Sequence, residues 1–279
     1  MSEDASLHLK CLNCGSAVEN SFCQKCGQRV RDNTDRSLGR LLGEFLGNIF
    51  FLDNRFFISL WYLIRFPGRM TVEFLQGKRK KFISPVTLFL FFNLIYFFLS
   101  PLSDYSLSFY DQMYYQPYSA WFQETVRTKL DVLGLTEQQY DPIYQRMSDS
   151  VSKSIMIINI PMIAGFVFLM SFKRREFYFD SLIYSFHFFT LFMLSWISLD
   201  CVGKLLTLLS TEEDSILATI TFNFFTFIGP AIYGMISMHK FLGIRWYWFI
   251  PAGLGTLAGV LLSNFIYRFV IFLLTIWLT

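Results

Sequence analysis

The chain has 279 residues, of which 53% are apolar, 19% aromatic and only 16% charged, against roughly 25% charged in an average soluble protein. That balance excludes an ordinary water-soluble domain and makes a lipid bilayer the default surroundings. A formal net charge of +3 is too small to argue for nucleic acid, and the basic residues stand beside apolar segments, where anionic lipid headgroups are the nearer partner.

The first six residues, Met-Ser-Glu-Asp-Ala-Ser, lack a positive region followed by an apolar one. No cleavable signal peptide is expected, and the head should stay where it is made. Cys11-Leu-Asn-Cys14-Gly and Cys23-Gln-Lys-Cys26-Gly follow, two matched Cys-x-x-Cys knuckles. Tetrahedral Zn²⁺ takes four thiolates at about 2.3 Å, and each knuckle delivers two of them from one tight loop. Gly15 and Gly27 supply the positive φ that turns the following amide back toward a sulfur. The segment is too short to bury a core, so the ion would provide most of its folding free energy, on the order of 10 kcal/mol. Structural zinc on Cys11, Cys14, Cys23 and Cys26 is the first reading; iron in the same cage and a redox dithiol pair are the alternatives. Four protein ligands leave no open position for a reactive water. The fifth cysteine, Cys201, has no neighbouring thiol, which agrees with a reducing compartment.

From Leu38 to Ile49 the apolar residues recur at helical spacing, predicting an amphipathic helix. Phe56 to Ile64 is too short for the ~20 residues that cross a bilayer. Flanked by Arg55 and Arg65, it is expected in the interface, with Trp61 and Tyr62 at headgroup depth. Pro67-Gly68 breaks that helix, and a short piece through Leu75 leads to Lys78, Arg79, Lys80 and Lys81. Four consecutive basic residues before a span are worth about 1 kcal/mol each near an anionic leaflet and hold this end in the cytoplasm.

The knuckles, Phe66-Pro67-Gly68, Glu73-Phe74-Leu75, Gly77-Lys78-Arg79 and Pro85 together resemble a family of bacterial membrane proteins of unknown function with an N-terminal zinc ribbon, over roughly residues 11 to 100. The resemblance implies a bacterial inner-membrane location and a cytoplasmic ribbon. It lends no activity, substrate or catalytic residue.

Five stretches are long and apolar enough to span: about Ser84–Leu102, Ser154–Phe172, Ser181–Val202, Ile216–Met238 and Trp246–Trp277. Ser84 suits an N-cap and Pro85 a first helical position. The last stretch, with Pro251, Gly253, Gly255 and Gly259, admits one long helix, an interfacial start or a re-entrant piece. Its Gly255-x-x-x-Gly259 spacing suits close helix packing. Residues before Ser84 hold 13 Lys and Arg against 8 Asp and Glu, whereas residues 103–152 hold 3 against 7. With Lys173-Arg174-Arg175, Lys240 and Arg245 on the same side, the pattern predicts a cytoplasmic N-terminus and a periplasmic C-terminus. Within the external loop, the aromatic run from Tyr105 to Phe122 reads as an interfacial belt or as a partner surface. Leu130–Met147 is predicted as a short helix packed on it.

His187, Asp200 and Arg268 fall within or near spans, where ionisable groups are costly. They suggest a proton or ion path, or else simple structural roles: His187 bonded to a neighbouring helix, Arg268 snorkelling or paired with Asp200. Asn93, Asn159, Asn223 and Asn264 suit interhelical hydrogen bonds, and Pro161 and Pro230 suit kinks. Protease, nucleotide and serine-hydrolase motifs are absent.

The expected fold is an all-α integral membrane protein of about five transmembrane helices with a small four-cysteine zinc ribbon. Its predicted divisions are a ribbon at 1–33, interfacial helices and basic linker at 34–83, and a transmembrane body at 84–279. The expected function is a non-catalytic scaffold or regulatory protein that binds a protein partner at its cytoplasmic head, with its oligomeric state left open by the sequence. A small transporter or channel is the alternative, and a membrane-embedded enzyme stands third.

Overall fold

The computed structural model describes residues 9–18, 21–29, 54–99, 107–171, 177–209, 228–243 and 245–279, and they are mostly helical. The predicted amphipathic helix Leu38–Ile49 and residues 172–176 and 210–227 lie outside that set.

The head is a minimal ribbon. Strands β1 (Leu9–Lys10) and β2 (Ala17–Val18) pair antiparallel, Leu9 opposite Val18, and Phe22 bridges to Arg29 across the second knuckle. Helix α1 (Asn54–Arg65) buries Phe56, Ser59 and Leu63 and leaves Phe57, Trp61 and Ile64 exposed along its other side. Their spacing is the helical one that divides a helix into two faces. Pro67-Gly68 then turns the chain into α2 (Arg69–Leu75), with Gly68 at φ 73°. Helix α3 (Pro85–Leu99) begins at the predicted proline. The Ser84 carbonyl accepts from Leu88 N–H, while the Ser84 hydroxyl has no partner among the described residues, so the expected side-chain cap is not made.

Helices α4 (Phe109–Tyr114), α5 (Ser119–Leu133) and α6 (Glu137–Ile155) follow. The single helix expected over Leu130–Met147 is instead two. Gly134 at φ 65° ends α5, and Thr136 starts α6 through a reciprocal capping box with Gln139. A 3₁₀ turn (Met156–Ile158) joins α6 to α7 (Asn159–Ser171), and Pro161 sits in the first turn of α7. The tighter turn absorbs the missing proline N–H, so the expected kink takes the form of a local change of pitch. Helices α8 (Tyr178–Leu209), α9 (Gly229–Leu242) and α10 (Phe249–Leu278) complete the chain. The last is one continuous helix after a 3₁₀ turn at Trp246–Trp248, with Pro251 in its first turn.

Three of these are long and apolar enough to cross a membrane: the rod Glu137–Ser171, Tyr178–Leu199 and Phe249–Leu278. The first expected span is a shorter apolar helix within the described residues, and much of the fourth falls in the undescribed 210–227.

Helix α8 packs against α3, α7 and α9, and α10 against α6, α7 and α9. Lipid tails are as apolar as leucine, so close approach and hydrogen bonds rather than hydrophobicity select helix partners in a bilayer. The glycines of α10 provide that approach: a Cβ at Gly255 would stand 2.6 Å from Met170, and one at Gly259 2.7 Å from Phe166, both on α7. Between helices, Ser263 donates to Asn159 Oδ1 (2.8 Å), Tyr184 bonds Ser237 (2.7 Å), and Tyr233 donates to the Leu63 carbonyl (2.8 Å).

Part of the aromatic segment between α3 and α6 joins a second core. Phe109, Tyr118, Tyr140 and Tyr144 bury themselves around Phe272 of α10, while Tyr110, Tyr115 and Trp121 stay exposed. Lys129 donates to the Ile276 carbonyl in the last turn of α10, and Tyr140 bonds Thr279. The α4–α6 unit therefore clasps the C-terminal half of α10.

Gly68 is the tightest of the turn glycines. An added Cβ would lie 2.5 Å from the Ser237 carbonyl oxygen and 3.0 Å from Ser237 Cα, whereas at Gly134 nothing stands within 4 Å. Gly134→Ala should therefore cost only the about 1–2 kcal/mol of a left-handed alanine, and Gly68→Ala at least twice that, read as melting temperature in detergent. Equal losses would contradict this packing.

Candidate metal centre and the buried ion pair beneath it

Two sites draw together the residues singled out in the sequence. In the first, each knuckle turns on its glycine. Gly15 (φ 76°) donates its N–H to the Cys11 carbonyl at 2.7 Å, and Gly27 (φ 65°) to the Cys23 carbonyl at 2.8 Å. The chain closes behind each turn as Cys11 N–H bonds Ser16 O (2.8 Å) and Cys23 N–H bonds Gln28 O (2.7 Å). All four Sγ atoms lie within 4.8 Å of one another, with Cys11 and Cys26 3.6 Å apart and Cys14 and Cys23 3.5 Å apart. Four sulfurs at the usual zinc–thiolate distance sit about 3.8 Å from each other on the edges of a tetrahedron, so the cluster can hold a metal ion. Hydrogen bonds from the Ser16 hydroxyl and backbone draw the Cys14 thiol down to about 6. Burial pushes Cys26 up to about 11, an effect that a bound dication opposes because thiolates ligate in their deprotonated form.

The second site lies in the loop after α2. Glu73 is buried, and it receives Arg69 Nε at 2.8 Å on one oxygen and Lys81 Nζ at 2.7 Å on the other. Lys81 also donates to the Tyr62 hydroxyl (2.8 Å) with its ammonium 4.0 Å above the Tyr62 ring. Lys78 N–H bonds the Glu73 carbonyl at 3.0 Å, and Arg79 stacks over Phe74 at 5.5 Å. Of the four consecutive basic residues, Lys80 is the exposed one; Lys78, Arg79 and Lys81 are partly covered. Trp61 stands exposed as the interfacial expectation requires, but Tyr62 is turned under Lys81. Burial alone would raise the Glu73 carboxyl, but the Lys81 and Arg69 hydrogen bonds outweigh it and hold the carboxyl below its ordinary range. Lys81 is raised in turn: burial pulls it down, and the bonds to Glu73 and Tyr62 more than offset that.

The intramembrane candidates are not gathered into one place by any contact among the described residues. His187 on α8 is buried, with its Nδ1 2.8 Å from Thr71 Oγ1 and its ring edge-on to Phe74. It joins α8 to α2. Arg268 lies half-buried on α10, where its charge acts on Tyr118 of α5. Asp200 falls in α8, with its side chain outside the described set. The bonds that join Glu73 and Tyr62 to Lys81 are what sequence reasoning missed. The signal for them was present, since a lone carboxylate on an apolar seven-residue helix next to four basic residues needs a partner.

The chain is thus a mostly helical protein with three described helices long and apolar enough to cross a membrane and a four-cysteine cluster able to hold a metal ion. Residues 53–97 match a family described as "Protein of unknown function (DUF3667)". The match takes in the Pro67-Gly68 turn, Glu73, the Gly77-Lys78-Arg79 loop and Pro85, and the cysteine knuckles lie outside it. Comparison with the curated proteins and with the solved structures gives no match.

Glu73 provides a pH signature. Its depressed carboxyl contributes stability that is complete above the unfolded value of about 4.3 and is lost as pH falls through the lower folded value. The raised Lys81 contributes below about 10.4 and is lost as pH rises past its folded value. Glu73→Gln should accordingly destabilise the chain by roughly 1–3 kcal/mol near neutrality, between the ranges for exposed and buried pairs. The deficit should shrink toward acid pH in parallel melting curves, and a pH-independent deficit would count against the ion pair.

Proposed function

We propose that this is a non-catalytic membrane protein whose metal-held head, interfacial helix and basic loop form a cytoplasmic platform for another protein. The observation that carries the reading is the closed cysteine set. Four sulfurs within 4.8 Å complete a tetrahedral sphere, and a filled sphere supports a surface rather than a reaction. Zinc is the proposed ion, on the two glycine-turned knuckles and the all-thiolate donor set.

The proposed setting is a bacterial inner membrane crossed about five times, with the head inside and the C-terminus outside. Charge asymmetry supports this orientation. So does the uncovered face of α1, where Phe57, Trp61 and Ile64 suit insertion at the headgroup boundary while Arg65 and Lys80 reach lipid phosphates. We propose the same divisions as above: ribbon, interfacial segment and transmembrane body. The transport alternative draws less support, because His187 is engaged with Thr71 in a packed interface and not with Arg268.

Purified full-length chain should carry one zinc ion, and Cys14→Ser should lose it while the body remains inserted. Crosslinking to a cytoplasmic partner should fall at least tenfold in that variant. A reporter fused near residue 20 that is active outside the inner membrane, or a preparation without any bound ion, would sink the reading.

A further inference from the structure

Among the described residues, the head docks on the Gly77–Lys80 loop. Gln28 Nε2 donates to the Gly77 carbonyl at 2.7 Å, and Gln28 Oε1 accepts the Lys80 N–H at 3.3 Å. One side-chain amide thus satisfies a carbonyl and an N–H three residues apart, which needs a group that both donates and accepts. Beside it Leu12 lies on Gly77, where a Cβ would come within 2.6 Å of Leu12 Cδ1 and where φ is +98°.

The two docking residues belong to different knuckles. Leu12 lies between Cys11 and Cys14, and Gln28 follows Cys26 by two residues. The β1–β2 pairing lies wholly within the first knuckle, and the Phe22–Arg29 bridge wholly within the second. Among the described residues, one knuckle meets the other at the sulfur cluster, Cys11 to Cys26 and Cys14 to Cys23, with Val18 the one non-cysteine side chain in the same buried cluster. Without an ion these are four thiols and one valine, too small an apolar cluster to keep the halves in register.

The geometry points to a metal-sensing function: occupancy of the cysteine cluster is read out as docking of the ribbon on the Gly77–Lys80 loop. This inference rests on the metal-held head proposed above. With the ion bound, Leu12 and Gln28 stand at the spacing that clasps the loop. With the ion removed, the halves separate, the Gly77 carbonyl and Lys80 N–H return to solvent, and the basic loop is uncovered. The loop's inner side is held independently, by Lys78 N–H on the Glu73 carbonyl and by Lys81 on the Glu73 carboxylate, so undocking frees the outer side without dismantling α2.

Trypsin cuts after lysine and arginine, and the loop carries Lys78, Arg79 and Lys80. In neutral detergent, full-length chain with measured ion content should be cleaved there at least fivefold faster after chelation. Gln28→Ala should show the same acceleration with the ion still bound, since Gln28 is not a ligand. If the ion leaves and cleavage of the loop is unchanged, or if Gln28→Ala retains full protection, the coupling is wrong while the metal-held head stands. A chain that binds no ion overturns both.

Discussion

Helix α2 can lie against the bundle only because Gly68 has no side chain at the point where it meets the backbone of Ser237. That approach brings seven residues against α8 and α9, and the neighbouring part of the fold is arranged by it. Thr71 reaches His187, Phe74 meets the same imidazole edge-on, and Glu73 is buried. A buried carboxylate must be neutralised or paired, and this demand draws Lys81 back across the loop and Arg69 down from the preceding turn. The Gly77 turn follows from the same geometry, since the chain has to double back within four residues for Lys81 to reach its partner. Residues 53–97 therefore form one mechanical unit, which gives a physical reason for a family match confined to them.

The membrane half is held together differently. Where lipid surrounds the helices, apolar burial discriminates little between right and wrong neighbours. Glycines on α10 let α7 come close, and single hydrogen bonds such as Ser263 to Asn159 and Tyr267 to the Ser152 carbonyl set rotation and register. Each such bond is worth on the order of 0.6 kcal/mol in a membrane protein, so specificity comes from their number and from exclusion of bulk at the glycines. The α4–α6 unit adds a clasp of another kind, in which Lys129 supplies a donor to a carbonyl in the last turn of α10, where a helix has none of its own.

Local chemistry was legible in the sequence and distant pairing was not. The knuckles with their positive-φ glycines, the Pro67-Gly68 break and the start of α3 at Pro85 can all be read from a few adjacent residues, because each is decided by local backbone sterics. The division at Gly134 is equally local, marked by the positive φ of Gly134 and the Thr136–Gln139 capping box, yet a single helix was expected across it. Thr71 with His187, Glu73 with Tyr62 through Lys81, and Gln28 with Gly77 are of another sort. Their partners lie up to 116 residues apart, and nothing in either segment announces the other. The basic run shows the consequence: four adjacent charges look equivalent as sequence, yet the fold assigns Lys81 to a buried carboxylate and Arg79 to an aromatic ring while Lys80 remains exposed.

The same reasoning explains why isolated ionisable residues in spans mislead. A histidine in an apolar helix suggests proton transfer when viewed alone, because its free pKa lies near neutrality. His187 instead meets a threonine from a short helix that enters the bundle from its end, and the pair ties the entering element to the long one across an otherwise phenylalanine-lined contact. Arg268 is comparable, since its charge acts on Tyr118 of α5. In both cases the polar group marks where a segment from outside the bundle is captured. The cost of burying it is offset by the orientation it imposes, which unbranched apolar contacts do not provide.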